Sequence, residues 1–265
     1  MGAITGVSRR NDAKKRVAVV SDIHANLAAF EAVLADIDAL GIQEIWCLGD
    51  IVGYGPQPAE CARLARKRCA ILIRGNHEAA LEPEGALRFT LRARTAIAWT
   101  REELDRQPDG PELVKWLLSL PAGFEKNDRC FVHGSPCEPT EEYLMPRDAA
   151  NPYKMNPQWA RFDQYTFCGH THMPGVFEEG VHYFTKPDDM LGGNAYLLDN
   201  SAKAIINVGS VGQPRDRRPD ACYVTFDGDS VVYRRVPYNV ADTRERILLN
   251  PRLDPFLGDR LLEGR

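Results

Sequence analysis

The chain has 265 residues, 44% of them hydrophobic and 26% charged, which excludes a disordered or fibrous protein and fits one large α/β domain with at most a small cap. Its net charge of −4 gives no global attraction for nucleic acid or an anionic membrane, so an anionic ligand has to be captured locally. Seven cysteines (47, 61, 69, 130, 137, 168 and 222), odd in number and without a Cys-x-x-Cys pair, point away from a disulfide framework or zinc knuckle and toward a reducing, cytoplasmic compartment.

Residues 1–16 are polar and basic without an apolar signal core, and read as a flexible tail; no run approaches the roughly 18 apolar residues of a membrane span. Val17–Ser21 has the β-branched character of a strand covered on both faces and delivers Asp22-Ile23-His24-Ala25-Asn26 at its carboxyl end. Leu27, Phe30, Val33, Leu34, Ile37 and Leu40 then recur at helical spacing, with Gly41 as the stop. A second buried strand, Ile45–Leu48, closes on Gly49-Asp50 and completes a βαβ unit. A rigid Gly/Pro loop from Gly53 to Pro58 leads to a helix over about Ala59–Lys67, and a third strand, Ala70–Ile73, ends on Gly75-Asn76-His77-Glu78. Three parallel strands thus place polar side chains at their carboxyl ends, where open α/β sheets build their sites.

Two helices are expected over 87–119: Leu87, Leu91, Ile97, Trp99 and Leu104 form one core stripe, Leu113, Trp116, Leu117 and Leu120 the other. The strand pattern resumes at Cys130–Val132 and ends in His133-Gly134, after which 135–158, with five prolines, reads as a long surface loop. Phe167-Cys168-Gly169-His170-Thr171-His172 looks like a buried strand running into a metal clamp, because residues two apart in extended chain share a face. Gly175–Glu178 and Val181–Thr185 read as a hairpin, Ala204–Val208 as a strand ending in Gly209-Ser210-Val211-Gly212-Gln213-Pro214-Arg215, and Cys222–Phe226 with Val231–Val236 as a last hairpin. The main domain is therefore expected over 17–238, with cap elements near 79–120 and 135–160 and a helical tail over 239–265 packed on it.

Five of the six histidines stand at the end of an apolar run, within three residues of a Gly, Asp or Asn; only His182 lies outside this pattern. Asp22, His24, Asp50, Asn76, His133, His170 and His172 are seven nitrogen and oxygen donors, too many for one four-coordinate ion and suited to two divalent ions sharing a bridge. Asp50 is the natural bridge, since a carboxylate offers two oxygens and an imidazole one free nitrogen. Two doubly charged ions, two carboxylates and one bridging hydroxide leave a net +1, which attracts an anion. Manganese is the first expectation for the metal, with iron, zinc or nickel as alternatives, because these donors accept several ions. Such a pair activates water and clamps phosphoryl oxygens, and His77, beside a ligand but not needed as one, is placed to protonate a leaving oxygen.

These residues resemble the calcineurin-like metallophosphoesterases, whose pattern Asp-x-His, Gly-Asp, Gly-Asn-His-(Asp/Glu), His and Gly-His-x-His is matched in order by Asp22-x-His24, Gly49-Asp50, Gly75-Asn76-His77-Glu78, His133 and Gly169-His170-Thr171-His172. The resemblance implies an α/β (α+β by some schemes) four-layer α/β/β/α sandwich of two mixed sheets flanked by helices. It implies one ion held by Asp22, His24, Asp50 and His172 and another by Asp50, Asn76, His133 and His170, with His77 and Asp50 catalytic. Ser21–Leu27 and the 209–215 phrase look closest to the small YfcE-like bacterial and archaeal members, which hydrolyse phosphodiesters or monoesters. Where protein phosphatases of the superfamily follow the bridging Asp with Asp-Arg-Gly, this chain has Ile51-Val52-Gly53, which argues against a protein substrate and leaves the group that orients His77 open.

Plainer readings exist for single residues. Asn26 either caps the first helix or touches substrate, and Arg215 is either a surface charge beside Arg217 and Arg218 or a phosphate contact. Tyr54 and Tyr143 read as packing residues. Rival functions are a non-catalytic binding scaffold on the same fold, which would show missing ligands, and a nuclease, which would need a basic track. The expected partner is a small phosphorylated substrate, with no membrane and no long nucleic acid; a homo-oligomer is left open.

Overall fold

The computed structural model describes residues 16–126, 128–190, 192–198 and 202–265; the tail expected at the N-terminus lies outside the described residues except for Arg16. Side-chain parity builds the layers. In β1 (Val17–Val20), Val17 and Val19 face one core while Ala18 and Val20 face another, all of them buried. α1 (Leu27–Ala39) connects it to the parallel strand β2 (Glu44–Cys47), and α2 (Pro58–Arg68) connects that to β3 (Ile71–Leu72). A short turn of helix, α3 (Asn76–Ala79), precedes α4 (Leu91–Asp105) and α5 (Gly110–Ser119).

The second sheet begins with the antiparallel pair β4 (Gly123–Lys126) and β5 (Arg129–Val132), followed by α6 (Pro152–Trp159), β6 (Tyr165–Cys168) and β7 (Gly175–Glu178). β8 (Ala195–Leu197), β9 (Ala204–Asn207), β10 (Ala221–Phe226) and β11 (Ser230–Val236) come next, then α7 (Val240–Leu248) and α8 (Phe256–Glu263). The sheet orders are β3-β2-β1-β10-β11-β8 and β4-β5-β6-β9-β7. Within the second, β5, β6 and β9 run parallel, so each sheet carries a parallel triplet whose carboxyl ends meet at one edge of the sandwich.

Between the sheets lie Val17, Val19, Trp46, Phe131, Phe167 and Ile206, with Phe131 stacked on Phe167 at 4.9 Å between ring centroids and edge-on to Trp46 at 5.0 Å. The opposite parity packs outward: Ala18, Val20 and Cys47 against α1, α2 and α5, and Val132, Cys168 and Ile205 against Met155 and Trp159 of α6. The result is a four-layer α/β/β/α sandwich. Each large apolar side chain buried this way contributes about 1.5–3 kcal/mol. α7 and α8 close a further small core against α4 through Ala96, Trp99, Ile247, Leu253, Leu257 and Leu261.

Three expectations need correction. Leu87 and Leu91 are exposed, while Ile97, Trp99 and Leu104 are buried as expected; the buried stripe of α4 is completed by Ala93, Ala96 and Thr100, whose small side chains let the helix sit close. The supposed loop over 135–158 contains a 3₁₀ turn at Pro146–Ala150 and α6; Pro152 sits at a helix start, where its missing N–H costs nothing, and the short helix accommodates Pro157. The supposed hairpin partner of β7 makes a single bridge, Val176 to Thr185, while the ladder partner is β9.

Asp36 ties α1 to the first sheet: Arg234 donates to both its oxygens (2.6 and 2.8 Å) and the Tyr223 hydroxyl donates at 2.6 Å. The Arg234 hydrogen bond holds the Asp36 carboxyl below its ordinary range, so this contribution is present above the unfolded carboxylate pKa and lost as pH falls through the folded one. With partial solvent screening, Asp36→Asn should cost about 1 kcal/mol near neutral pH, and the gap from the parent should close as pH falls through the lowered Asp36 pKa; urea unfolding at neutral and at acid pH reads this out.

Candidate metal centre

Strand ends from both sheets supply the site. Pairing of β1 with β2 continues past the strands, with the Asp22 N–H on the Gly49 carbonyl (3.0 Å), His24 N–H on Asp50 (2.9 Å) and Ala25 N–H on Ile51 (2.9 Å). Asp22, His24, Asp50, His170 and His172 all have φ between 48° and 64°, left-handed backbone that costs of order 1 kcal/mol or more where it is not glycine. That cost turns five side chains inward at the ends of four-residue strands. The two sheets meet here because Gly169 has no Cβ; one added there would overlap Ser21 and Asp22. The Asp22 carboxylate instead accepts the His170 N–H, at 3.0 Å to the nearer oxygen.

The donors fall into overlapping triads: Asp22, His24 and His172; His24, Asp50 and His77; and Asp50, His133 and His170. Asp50 Oδ2 is the shared atom, 3.6 Å from His24 Nε2 and 3.3 Å from His133 Nε2. Its Oδ1 accepts the His77 N–H at 2.9 Å, which ties the carboxylate to the turn that carries Asn76. Asn76 Oδ1 lies 3.2 Å from His133 Nε2, and Asp22 Oδ1 3.2 Å from His172 Nε2.

The outer ring nitrogens of four histidines decide the protonation of the inner ones. His24 Nδ1 donates to the Val52 carbonyl (3.3 Å), His133 Nδ1 to Leu48 (2.8 Å), His172 Nδ1 to Gln213 (2.5 Å) and His170 Nε2 to Glu141 (3.0 Å). A carbonyl only accepts, so each neutral ring carries its proton outward and presents a lone pair inward. Two such lone pairs face each other at 3.1 Å between His24 and His172, and another two at 3.0 Å between His133 and His170. Facing lone pairs beside two carboxylates repel unless a cation stands among them, and nitrogen and oxygen donors of this kind suit divalent ions. The residues therefore fit a metal centre.

The electrostatics agree. Burial drives the His24 and His172 pKa values well below normal and that of His170 to about 3. His133 differs: burial opposes its charge, yet Asp50 raises its pKa to about 9, so without a cation beside Asp50 this ring takes a second proton on the inner nitrogen and gives it up where a metal ion binds. Burial's upward pull on Asp50 is overcome by His133, His77 and His24. One positive charge is already drawn to the middle of the cluster.

His77 sits against Tyr54 (4.4 Å between centroids), His24 (4.7 Å) and Phe89 (5.1 Å), with Nε2 4.0 Å from Asp50 Oδ2. Its Nδ1 is buried without a hydrogen-bond partner among the described residues, and burial lowers its pKa to about 4. Among the described residues no carboxylate bonds Nδ1; Tyr54, His24 and Phe89 pack around the ring, and Gly53, without a Cβ, leaves room for Nδ1. Glu78, quoted in the motif without a role, is the residue sequence reasoning missed: its buried carboxylate accepts from the N–H groups of Asp50 (2.8 Å), Ile51 (2.8 Å), Val52 (3.1 Å) and Gly75 (2.9 Å), pinning the Asp50 loop to the Asn76–His77 turn. Its only sequence signal was its place after Asn76-His77.

Asn26 is not brought to the site's opening. It is 1% exposed and fully engaged: Oδ1 accepts from the Ala29 N–H and the Thr243 hydroxyl, and Nδ2 donates to the Gly212 carbonyl and the Tyr238 hydroxyl. The cap reading describes it, and the substrate-contact reading does not. Arg215 is half-buried beside the cluster, its N–H bonded to the His172 carbonyl and its Nη2 to Gln213 Oε1 (2.8 Å). Tyr54 packs as expected, whereas Tyr143 is 45% exposed and stacks on His170 at 3.8 Å, roofing one side. His182 is exposed and outside the cluster.

A two-sheet sandwich with buried carboxylates and imidazoles at converging strand ends defines the metallophosphoesterase class. The chain belongs to the calcineurin-like phosphoesterase superfamily, whose domain matches residues 16–230. It is 38% identical over 260 residues to an uncharacterized protein of Methanocaldococcus jannaschii, covering 95% of this chain and 99% of that one. The crystal structure of a metallophosphoesterase from Sphaerobacter thermophilus superposes with TM-score 0.77 at 38% identity, over 95% of this chain and 99% of its own. A shorter match, 26% identity over 95 residues covering 35% of this chain and 33% of the relative, is to a symmetrical bis(5'-nucleosyl)-tetraphosphatase of Neisseria gonorrhoeae.

Gly53 has φ +89°, and a Cβ there would overlap His77 Nδ1. Gly53→Ala should therefore displace the His77 ring and lower turnover by about 10²-fold, the scale of a 1 Å misplacement, while bound metal, measured on the same preparation, stays at the parental level.

Proposed function

We propose that the protein is a dinuclear metallophosphoesterase that hydrolyses a small phosphodiester or phosphomonoester. The observation that carries the reading is the two pairs of inward imidazole nitrogens, at 3.1 and 3.0 Å, gathered around Asp50 Oδ2. Asp22, His24, Asp50 and His172 would hold one ion and Asp50, Asn76, His133 and His170 the other, with manganese the first metal to test. The bound pair supplies an acidified water and positive charge for the phosphoryl oxygens.

The chain's own residues do the rest. The outer carbonyl bonds fix the tautomers and keep the histidines aimed, Glu78 fixes the Asp50 loop, and Tyr143 on His170 narrows access from one side. As the water oxygen bonds to phosphorus, the ester P–O bond breaks and its electron pair leaves with the departing oxygen, which takes a proton from His77 Nε2. Burial holds this ring's pKa at about 4, so the donation relies on the negative charge of the bound phosphoryl group to keep the ring protonated. A small substrate is favoured over a protein by Ile51-Val52-Gly53 in place of Asp-Arg-Gly and by the partial match to a bis(5'-nucleosyl)-tetraphosphatase. No helix among the described residues is long and apolar enough to cross a membrane, and seven free cysteines favour a reducing cytoplasm as the place of action.

Elemental analysis after anaerobic purification should find close to two equivalents of transition metal per chain, and Asp50→Ala should lose more metal than any other single ligand change. One equivalent at full activity would remove the dinuclear mechanism.

His77→Asn should slow alkyl phosphoesters by roughly 10²–10⁴, the span of general acid catalysis, and nitrophenyl esters much less, because a nitrophenolate departs without a proton. Equal losses on both with metals retained would make His77 a stabiliser of phosphoryl charge. Loss of metal would make it a ligand.

A further inference from the structure

Residues 141–144 run along one border of the cluster, and three of the four are tied down. The Glu141 carbonyl accepts from His170 Nε2 at 3.0 Å. The Glu142 carboxylate accepts from the Ser135 hydroxyl, from Lys154 Nζ (2.5 Å) and from Gln158 Nε2 (2.7 Å), and Gln158 in turn accepts the Cys137 N–H at 3.0 Å. Leu144, 2% exposed, is buried with Met155 and Trp159 of α6. Between these anchors Tyr143 stays 45% exposed, with one ring face laid on the His170 imidazole at 3.8 Å between centroids and 29° between planes.

A flat aromatic surface is thereby left open beside the metal donors. Tyr54, by contrast, is half-buried against both His24 (4.8 Å) and His77 (4.4 Å). Burial pushes the Tyr143 hydroxyl pKa up to about 12, so the polar end of the side chain is the covered end and the exposure belongs to the ring. A second planar ring on the exposed face completes a three-layer stack of imidazole, phenol and ligand, with the gain in offset stacking added to the apolar area removed from water. An aliphatic group covers the same face without stacking. Tyrosine has few torsions to lose, and the anchors on either side already order the loop, so little is given up when the ligand lands.

We propose that Tyr143 is a specificity-determining residue, a stacking platform for a planar aromatic group of the substrate, so that esters of aryl or nucleoside alcohols are preferred over aliphatic ones. This rests on the reading above that the cluster hydrolyses a small phosphoester. His170 links the two parts of the site, since its Nδ1 faces His133 Nε2 at 3.0 Å while its ring carries Tyr143. The stacked group and the reacting phosphoryl group are therefore one imidazole apart. The common chemistry is the planar ring, and its reach from phosphorus separates a directly attached aryl group from a base carried on a pentose. Every base has a π-face, so the platform does not select among bases.

The test uses two pairs of competitors of nitrophenyl phosphate hydrolysis by the manganese-loaded full chain: phenylphosphonate with methylphosphonate, and adenosine 5'-monophosphate with ribose 5-phosphate. Calorimetric titration of the two phosphonates and metal content are measured alongside. The parent should bind the aromatic member at least about fivefold tighter in one pair or both, the low end of what stacking on an aromatic side chain gives, and the pair that shows it names the source. Tyr143→Leu, which keeps an apolar side chain but no ring, should cut that preference about fivefold at unchanged metal content, and Tyr143→Phe should keep it within about twofold. If the leucine variant does not fold, Tyr143→Trp decides: the larger ring should raise the preference, and an unchanged one overturns the platform. With the parent active, four other results overturn it and leave the phosphoesterase reading standing. These are no aromatic preference in either pair, a preference unchanged in the leucine variant, its loss in the phenylalanine variant, which makes the hydroxyl the contact, and loss of metal in the leucine variant, which makes Tyr143 only a support for His170. A metal-loaded parent that hydrolyses no phosphoester and binds neither phosphonate overturns both.

Discussion

Four hydrogen bonds from outer imidazole nitrogens to backbone carbonyls govern the rest of the molecule. A histidine can point a lone pair at a neighbour only when its other nitrogen holds the proton, and here Val52, Leu48, Gln213 and Glu141 hold those protons in place. The carbonyls belong to loops that follow β1's partner strand, β5 and β9, so the tautomers are set by the fold rather than by the ligands. Moving any of these loops would turn a donor into a bystander. This is why the sandwich must be rigid at this edge, and why Glu78 spends a buried carboxylate on four backbone N–H groups.

That rigidity is obtained against local preference. Five donors occupy left-handed backbone, and the short strands that carry them would not hold such turns alone. Burial of the parallel triplets between helices supplies the stabilisation, since Phe131 and Phe167 anchor β5 and β6 just before His133 and His170. Strain at the strand ends and packing in the strands are thus two sides of one arrangement.

Much of this was legible in the sequence because each donor stands at the end of an apolar run, where parity and position fix both face and edge. β1, β2, β6 and β9 announce themselves in this way, as do α1 and the β10–β11 hairpin. What was illegible shares a different property. Every residue has a carbonyl, so nothing marks those of Gln213 or Glu141 as proton holders, and a glutamate after Asn76-His77 does not declare four backbone partners. α6 was hidden by its own prolines, and β4 and β8 by being short edge strands with half-exposed, mixed sequences. Asn26 read equally as cap or contact until Thr243 and Tyr238 were seen to use up its side chain.

Those two partners also show how the C-terminal segment is joined to the catalytic edge. Asn26 stands four residues after Asp22, and through Thr243 it takes hold of α7, which packs on α8 through Ile247 and Leu257. α8 in turn closes the space behind His24 and Tyr54. A chain of buried contacts therefore runs from the first metal-binding motif to the helix that lies beyond the superfamily domain and back to the cluster's border at His172. The elements that border the cluster without entering it are the Tyr143 loop, stacked on His170, on one side and α8, packed behind His24 and Tyr54, on the other, so on the proposed function these two are where substrate selectivity would be set.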